Sequence, residues 1–232
     1  MSQHQKILSP IVVVQVLVFV VLVPLLPLLI SCKWRWWEAW VFAALYILGF
    51  AISRILAARR HPELIAERAR SLCRQDAEPW DRLLAPLATA GGALTLVIAG
   101  LDGRFAWSPA VSLPIRLLSL TVLLAGYALG SYALIENPFF SGVVRIQAER
   151  GHRVVSSGPY RWIRHPGYAG GLLTYLATPP FLGTLWAFIP VALLAVVLVI
   201  RTALEDRTLR ERLEGYREYA RQVRYRLVPG VW

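Results

Sequence analysis

Long apolar blocks alternate with short basic ones along the chain. Ile7 to Ile30 holds no charged residue, about Trp36 to Ala58 forms a second block, Leu83 to Leu101 a third and Leu113 to Ile135 a fourth. Each approaches or exceeds the roughly 20 residues a helix needs to cross a bilayer. The first is too long for a signal-peptide core and is followed by no small-residue cleavage site, so it reads as a retained span bent at Pro24 and Pro27. The last stretch, Tyr168 to Ile200, is too long for one span and is interrupted by Pro179 and Pro180. It predicts a helical hairpin whose first arm is short for a full crossing. The expected fold is an all-α integral membrane protein of about five to six transmembrane helices. It includes the C-terminal hairpin and ends in a cytoplasmic amphipathic helix. Four spans fall in residues 1–135, and 136–232 form the chemical core.

Charge fixes an orientation. The chain carries a net +11 and is 56% hydrophobic. Such a charge suggests nucleic acid, but the apolar blocks argue against it, and position matters more than the sum. Loop 59–82 holds Arg59, Arg60, Arg68, Arg70, Arg74 and Arg82, and loop 136–166 holds Arg145, Arg150, Arg153, Arg161 and Arg164. The alternate connections hold only Lys33, Arg35 and Arg104. The positive-inside rule puts the arginine-rich loops and both termini in the cytoplasm, most simply of a bacterial inner membrane. The parity holds only if the hairpin goes out and returns. Trp34, Trp36, Trp37, Trp40 and Trp107 read as an interfacial belt, and Arg54 and Arg116 as span-end residues able to reach headgroups. Cys32 and Cys73 fall on opposite sides and cannot pair.

A hairpin brings its flanks to one surface. The preceding flank is "RIQAERGHRVVSSGPYRWIRHPGYAG", a glycine- and proline-rich loop feeding a helix N-terminus, where free N–H groups can meet an anion. The following flank, from Arg201, reads as one amphipathic helix with Leu204, Leu209, Leu213, Tyr216, Ala220 and Val223 at helical spacing. Glu214 with Arg217 and Glu218 with Arg221 are i,i+3 pairs. Arginines on such a helix suit anionic headgroups, but the adjacent Glu205 and Asp206 do not, and a partly cationic ligand would give them a purpose. The spacing of His152 and His165 matches no metal site, so no metal is expected.

Taken together, "GHRVVSSGPYRWIRHPGYAGG", an apolar hairpin, the acidic pair and "GYREYARQVRYRLVP" resemble the isoprenylcysteine carboxyl methyltransferase family, with related phospholipid and small-thiol methyltransferases. The resemblance spans about Asn137 to Pro229. It implies S-adenosylmethionine as cofactor and a lipophilic substrate entering from the bilayer. Carried over residue by residue, it implies that Gln147, His152, Val154, Val155, Gly158, Tyr160, His165, Tyr168, Glu205 and Asp206 bind the cofactor. It also implies that Arg164 lies where methyl donor and acceptor meet. The chain departs from the family pattern at "LEGY", one residue short, and at Gln222, where the family has arginine.

The chemistry agrees. Acidic side chains can accept from an ammonium or ribose hydroxyls, and loop amides can hold a carboxylate. Methyl transfer is an in-line displacement that needs alignment above all. A carboxylate acceptor is its own nucleophile, which Arg164 would orient through a bidentate pair. An amine acceptor would need a base, for which Glu205 is the candidate. A phospholipid amine or small thiol is the alternative acceptor. A transporter or membrane scaffold is the reading from another class, disfavoured because the spans hold few ionisable residues. No histidine lies inside a span to ligate haem iron.

Overall fold

The computed structural model describes residues 14, 17–70 and 76–232, and every regular element among them is helical. Residues 7–13, 15 and 16 of the first predicted span, together with His4, Cys73 and Arg74, lie outside the described residues. A π-helical stretch, Leu17–Leu22, leads into α1 (Val23–Ser31). Pro24 cannot donate to the turn before it, and the helix widens immediately upstream of that missing bond. The chain continues through α2 (Trp37–Arg60), α3 (Pro62–Arg70), α4 (Asp81–Phe105), α5 (Leu113–Glu136), α6 (Pro166–Leu182), α7 (Phe188–Arg212) and α8 (Tyr216–Gln222). Four helices are long and apolar enough to cross a membrane: Trp37–Arg60, Asp81–Phe105, Leu113–Glu136 and Leu185–Arg212. The protein is a multi-pass membrane protein. The fifth and sixth expected crossings correspond to shorter apolar helices, Leu17–Ser31 and α6.

Two boundaries differ from the sequence expectation. The hairpin does not break at Pro179-Pro180. Both prolines lie in the last turn of α6, which runs on to Leu182 and ends at Gly183, with φ +72°. Only a residue without a Cβ takes that conformation cheaply. The tail is likewise not one helix from Arg201. Helix α7 carries Glu205 and Asp206 as far as Arg212, Gly215 turns the chain at φ +77°, and α8 is short and separate. The Glu218–Arg221 pair forms at 3.2 Å, whereas Arg217 donates to the Arg210 carbonyl instead of pairing with Glu214.

The bundle is built on close backbone approach. Helix α6 packs chiefly on α5, and α7 on α4. At the α5–α6 crossing a Cβ on Gly126 would stand 2.7 Å from the Gly170 carbonyl, and one on Gly170 would stand 2.6 Å from the Gly126 carbonyl. Small residues drive helix association in lipid because they admit this contact. The core beside it gathers Leu28, Phe42, Leu96, Leu123 and Phe181. At the tryptophan-rich end, Asp102 accepts from the Ser108 amide (2.8 Å) and the Trp186 amide (3.2 Å), tying the α4–α5 connection to the hairpin turn. Arg116 does not reach outward. It pairs with the buried Glu38 and donates to the Val111 carbonyl at 3.1 Å.

Candidate active site

The opposite end of the bundle is held by buried ion pairs. Asp81, the first residue of α4, is fully buried and receives Arg201 Nε at 2.6 Å and Nη2 at 3.0 Å. It also accepts the Val144 amide at 2.6 Å, while Arg201 reaches the Gly142 carbonyl at 2.9 Å. Arg145 pairs with Glu67 and Asp76, each at 2.9 Å. These contacts clamp the segment after α5 over the end of α7.

On that platform the motif loop folds against the tail. The Arg164 and His165 amides donate to the Tyr225 and Arg226 carbonyls at 2.9 and 3.0 Å. Arg164 itself is spent on the protein. Its Nε meets Asp206 Oδ1 at 2.7 Å, and its Nη1 donates to the Val223 and Arg224 carbonyls at 2.7 and 2.9 Å. Asp206 is equally committed, accepting from Tyr216 Oη (3.0 Å) and Arg226 Nε (3.0 Å), with Arg210 Nε 3.0 Å away. His165 Nε2 sits 3.4 Å from the Tyr216 hydroxyl. Burial, with Asp206 alongside, pushes the Tyr216 phenol far up, so it stays a donor.

Gln147 is committed too. It is buried, its Nε2 donates to the Phe139 carbonyl at 2.7 Å, and its amide donates to His152 Nδ1 at 3.3 Å. The His152 ring lies 4.6 Å from that of Phe139. Burial first, then Arg145 and Arg150, brings its pKa down to about 4, so it is neutral at physiological pH.

Other expected cofactor positions keep capacity for a ligand. Glu205 accepts from the Tyr168 hydroxyl at 2.6 Å, and its second oxygen meets no donor among the described residues. Leu209, a turn further along α7, joins Val154, Val155, Phe140 and the rings of Tyr160 and Tyr216 in one cluster. The amides from Arg153 to Gly158 donate to no described acceptor. The φ of +56° at Gly158, where a Cβ would meet Glu136 at 2.9 Å, turns this open strip into the buried Pro159-Tyr160 step. A donor strip, a half-satisfied acid and aromatic faces therefore converge where the loop meets α7. A separate cleft of about 210 Å³, lined by Glu78, Trp80, Leu204, Arg207, Thr208, Glu211 and Arg212, contains none of these residues.

Sequence reasoning missed Asp81, Arg201 and Phe140 as parts of this region, and gave Tyr216 only as part of the tail motif. Only the first two left a signal, as charges opening and closing apolar runs. Among the described residues no three His, Cys, Asp or Glu side chains converge as metal ligands.

Residues 118–211 match the sequence profile of the isoprenylcysteine carboxyl methyltransferase (ICMT) family. The match begins inside α5 and stops short of α8, so the tail tyrosines lie beyond it. A probable protein-S-isoprenylcysteine O-methyltransferase from Oryza sativa subsp. indica is 34% identical over 91 residues, 36% of this chain and 45% of that protein. A Delta(14)-sterol reductase from Mus musculus is 31% identical over 100 residues, 42% of this chain and 24% of the reductase. The chain thus spans less than half the length of these relatives. The family resemblance in the motif and hairpin is borne out over the matched stretch.

Proposed function

We propose that this protein is an integral membrane methyltransferase that uses S-adenosylmethionine and methylates a lipophilic acceptor, most simply a carboxylate such as that of a prenylcysteine. The observation that carries this reading is the half-satisfied Glu205 beside Tyr168, together with the open amides of 153–158, within a stretch matched to a methyltransferase family.

The residues present fit such a donor. It bears an ammonium, a sulfonium and a carboxylate. Glu205 Oε1, which meets no donor among the described residues, can accept from an ammonium or a ribose hydroxyl, and the amides of Val154 and Val155 suit a carboxylate. The Tyr160 and Tyr216 rings, clustered with Val154 and Val155, suit a sulfonium. Bound there, adenosylmethionine supplies a methyl group already activated for displacement. Tyr168 fixes the rotamer of Glu205 by its hydrogen bond. Asp206, Arg164 and Gln147 act one step back: they fasten the tail to the loop and hold the loop in register. A role for Arg164 in gripping the acceptor would require it to leave Asp206 and two carbonyls, so it is assigned here as a positioning residue. The hydrophobic helices α6 and α7 give a lipid-borne acceptor access from the bilayer side, with the loops and both termini cytoplasmic.

Titration calorimetry of the detergent-solubilised protein with adenosylmethionine and with its demethylated product tests the reading. A folded, monodisperse sample that binds neither refutes it. The likeness to a sterol reductase motivates a parallel titration with a reduced nicotinamide cofactor, and binding of that compound alone would move the assignment to hydride transfer.

A further inference from the structure

The acceptor's charge is legible in an arginine that the ion-pair scaffold leaves over. Arg60 pairs with Glu136 at 2.8 Å, Arg116 with Glu38, Arg145 with Glu67 and Arg201 with Asp81. Arg54, within the membrane-spanning part of α2, meets no carboxylate among the described residues. Its contacts are the Ser53 hydroxyl, 3.5 Å from Nη1, and the Phe50 ring, whose centroid lies 4.6 Å from the guanidinium carbon. Phe50 is one turn farther from the Arg59-Arg60 end of α2. The side chain therefore points back toward the membrane interior, the reverse of a residue reaching for headgroups. A cation inside a span with no anion beside it is costly, and such residues mark ligand paths.

Its surroundings lead to the site. Arg68 donates to the Phe140 carbonyl at 3.2 Å and lies 5.3 Å from the Phe140 ring. Burial, then the charges of Arg54 and Arg201, lower the pKa of Arg68 to about 9, so Arg54 lies within electrostatic reach of Arg68. The Phe140 ring in turn lies against Gly167, where a Cβ would stand 2.6 Å from it, and Gly167 adjoins Tyr168, the partner of Glu205. On the deep side, Tyr46 interacts electrostatically with Arg54 and packs edge-on against Tyr127 at 6.3 Å. The Tyr127 hydroxyl is buried with no hydrogen-bond partner among the described residues.

We propose that Arg54, on the membrane side of the Glu205–Tyr168 site, is the subsite that receives the carboxylate of the acceptor. On this reading the protein takes acidic lipophilic acceptors and rejects amino lipids. The proposal rests on the methyltransferase reading for its meaning but not for its test. An anion there neutralises Arg54, which meets no carboxylate among the described residues. An ammonium there would set two cations against each other. A planar guanidinium can grip both carboxylate oxygens while the tail of the acceptor lies along α2 toward Tyr46 and Tyr127.

The test measures acceptor binding with no methyl donor present. A fluorescent S-prenyl N-acylcysteine, its carboxamide and the corresponding prenylated amine are titrated into the solubilised protein. The wild type is expected to prefer the carboxylate over the carboxamide by about tenfold or more, the range of a charge-assisted hydrogen bond, and to bind the amine most weakly. Arg54→Gln should bring the carboxylate-to-carboxamide ratio near one, and Arg54→Lys should keep part of it. Equal binding of acid and amide by the wild type, tighter binding of the amine, or an unchanged ratio in Arg54→Gln overturns the proposal. If Arg54→Gln does not fold, the wild-type ratio and Arg54→Lys still decide. Carboxylate preference without adenosylmethionine binding refutes the methyltransferase reading and leaves the subsite standing; the opposite result refutes the subsite alone.

Discussion

Asp206 and Glu205 sit side by side on α7, one receiving Arg164, Arg226 and Tyr216, the other, among the described residues, only the Tyr168 hydroxyl. Successive helical residues point about 100° apart, and that rotation separates a closed ion-pair knot from an open acid. The same contrast recurs among the arginines, where Arg164 is saturated and Arg54 is not. A saturated buried charge is poor material for binding a ligand, because an incoming group must first displace its partners. A half-satisfied one already bears the desolvation cost that a ligand would offset. The family resemblance names both kinds of residue together, and the contact pattern sorts them into saturated and open groups.

The largest effect should come from breaking the closed side. Asp206→Ala leaves the buried Arg164 and the half-buried Arg226 without their acid and should cost about 3–5 kcal/mol of stability. Chemical denaturation in detergent should show it as a large fall in the transition midpoint. A midpoint within error of wild type would remove Asp206 from the scaffold.

On the open side the loss should fall on binding. Glu205→Ala is expected to weaken adenosylmethionine by roughly 1.5–3 kcal/mol, the worth of a charge-assisted hydrogen bond, while the unfolding midpoint barely moves. Calorimetry on a sample of verified stability reads both. Unchanged affinity would transfer the cofactor role away from this acid.

Arg164→Lys sharpens the distinction between positioning and contact. A lysine keeps the charge near Asp206 but cannot also bond the Val223 and Arg224 carbonyls. A stability loss of about 1–2 kcal/mol, two ordinary hydrogen bonds, should appear, with acceptor preference for carboxylate retained. Loss of that preference at full stability would return Arg164 to the acceptor.

The smallest effect concerns pH. The His152 pKa lies near 4 in the folded protein, below its ordinary 6.5, so the fold holds the ring neutral. Its stability contribution is present above pH 6.5 and fades as pH falls toward 4, because the unfolded chain takes up the proton first. His152→Gln should flatten the acid side of the stability profile between those values. An identical slope in variant and wild type would show that other groups set it.

The sequence by itself determined the helical membrane architecture, because hydrocarbon demands long uncharged runs. Three of the observed spans begin and end within a few residues of the apolar blocks. It also determined the motif and the acidic pair as the region of interest, through turn residues and charges placed at a membrane exit. It misplaced the hairpin turn. Two prolines in a last helical turn cost little, whereas the conformation at Gly183 ends the helix. It also ran the tail together, since amphipathic spacing persists across the Gly215 turn. What only the tertiary structure decided is which charges are used up. Asp206 is closed by Arg164, 42 positions before it, and by Arg226, 20 after it, while Arg54 is left over because no acid among the described residues reaches it. Pairing of this kind depends on which helix faces which, and local periodicity carries no record of it.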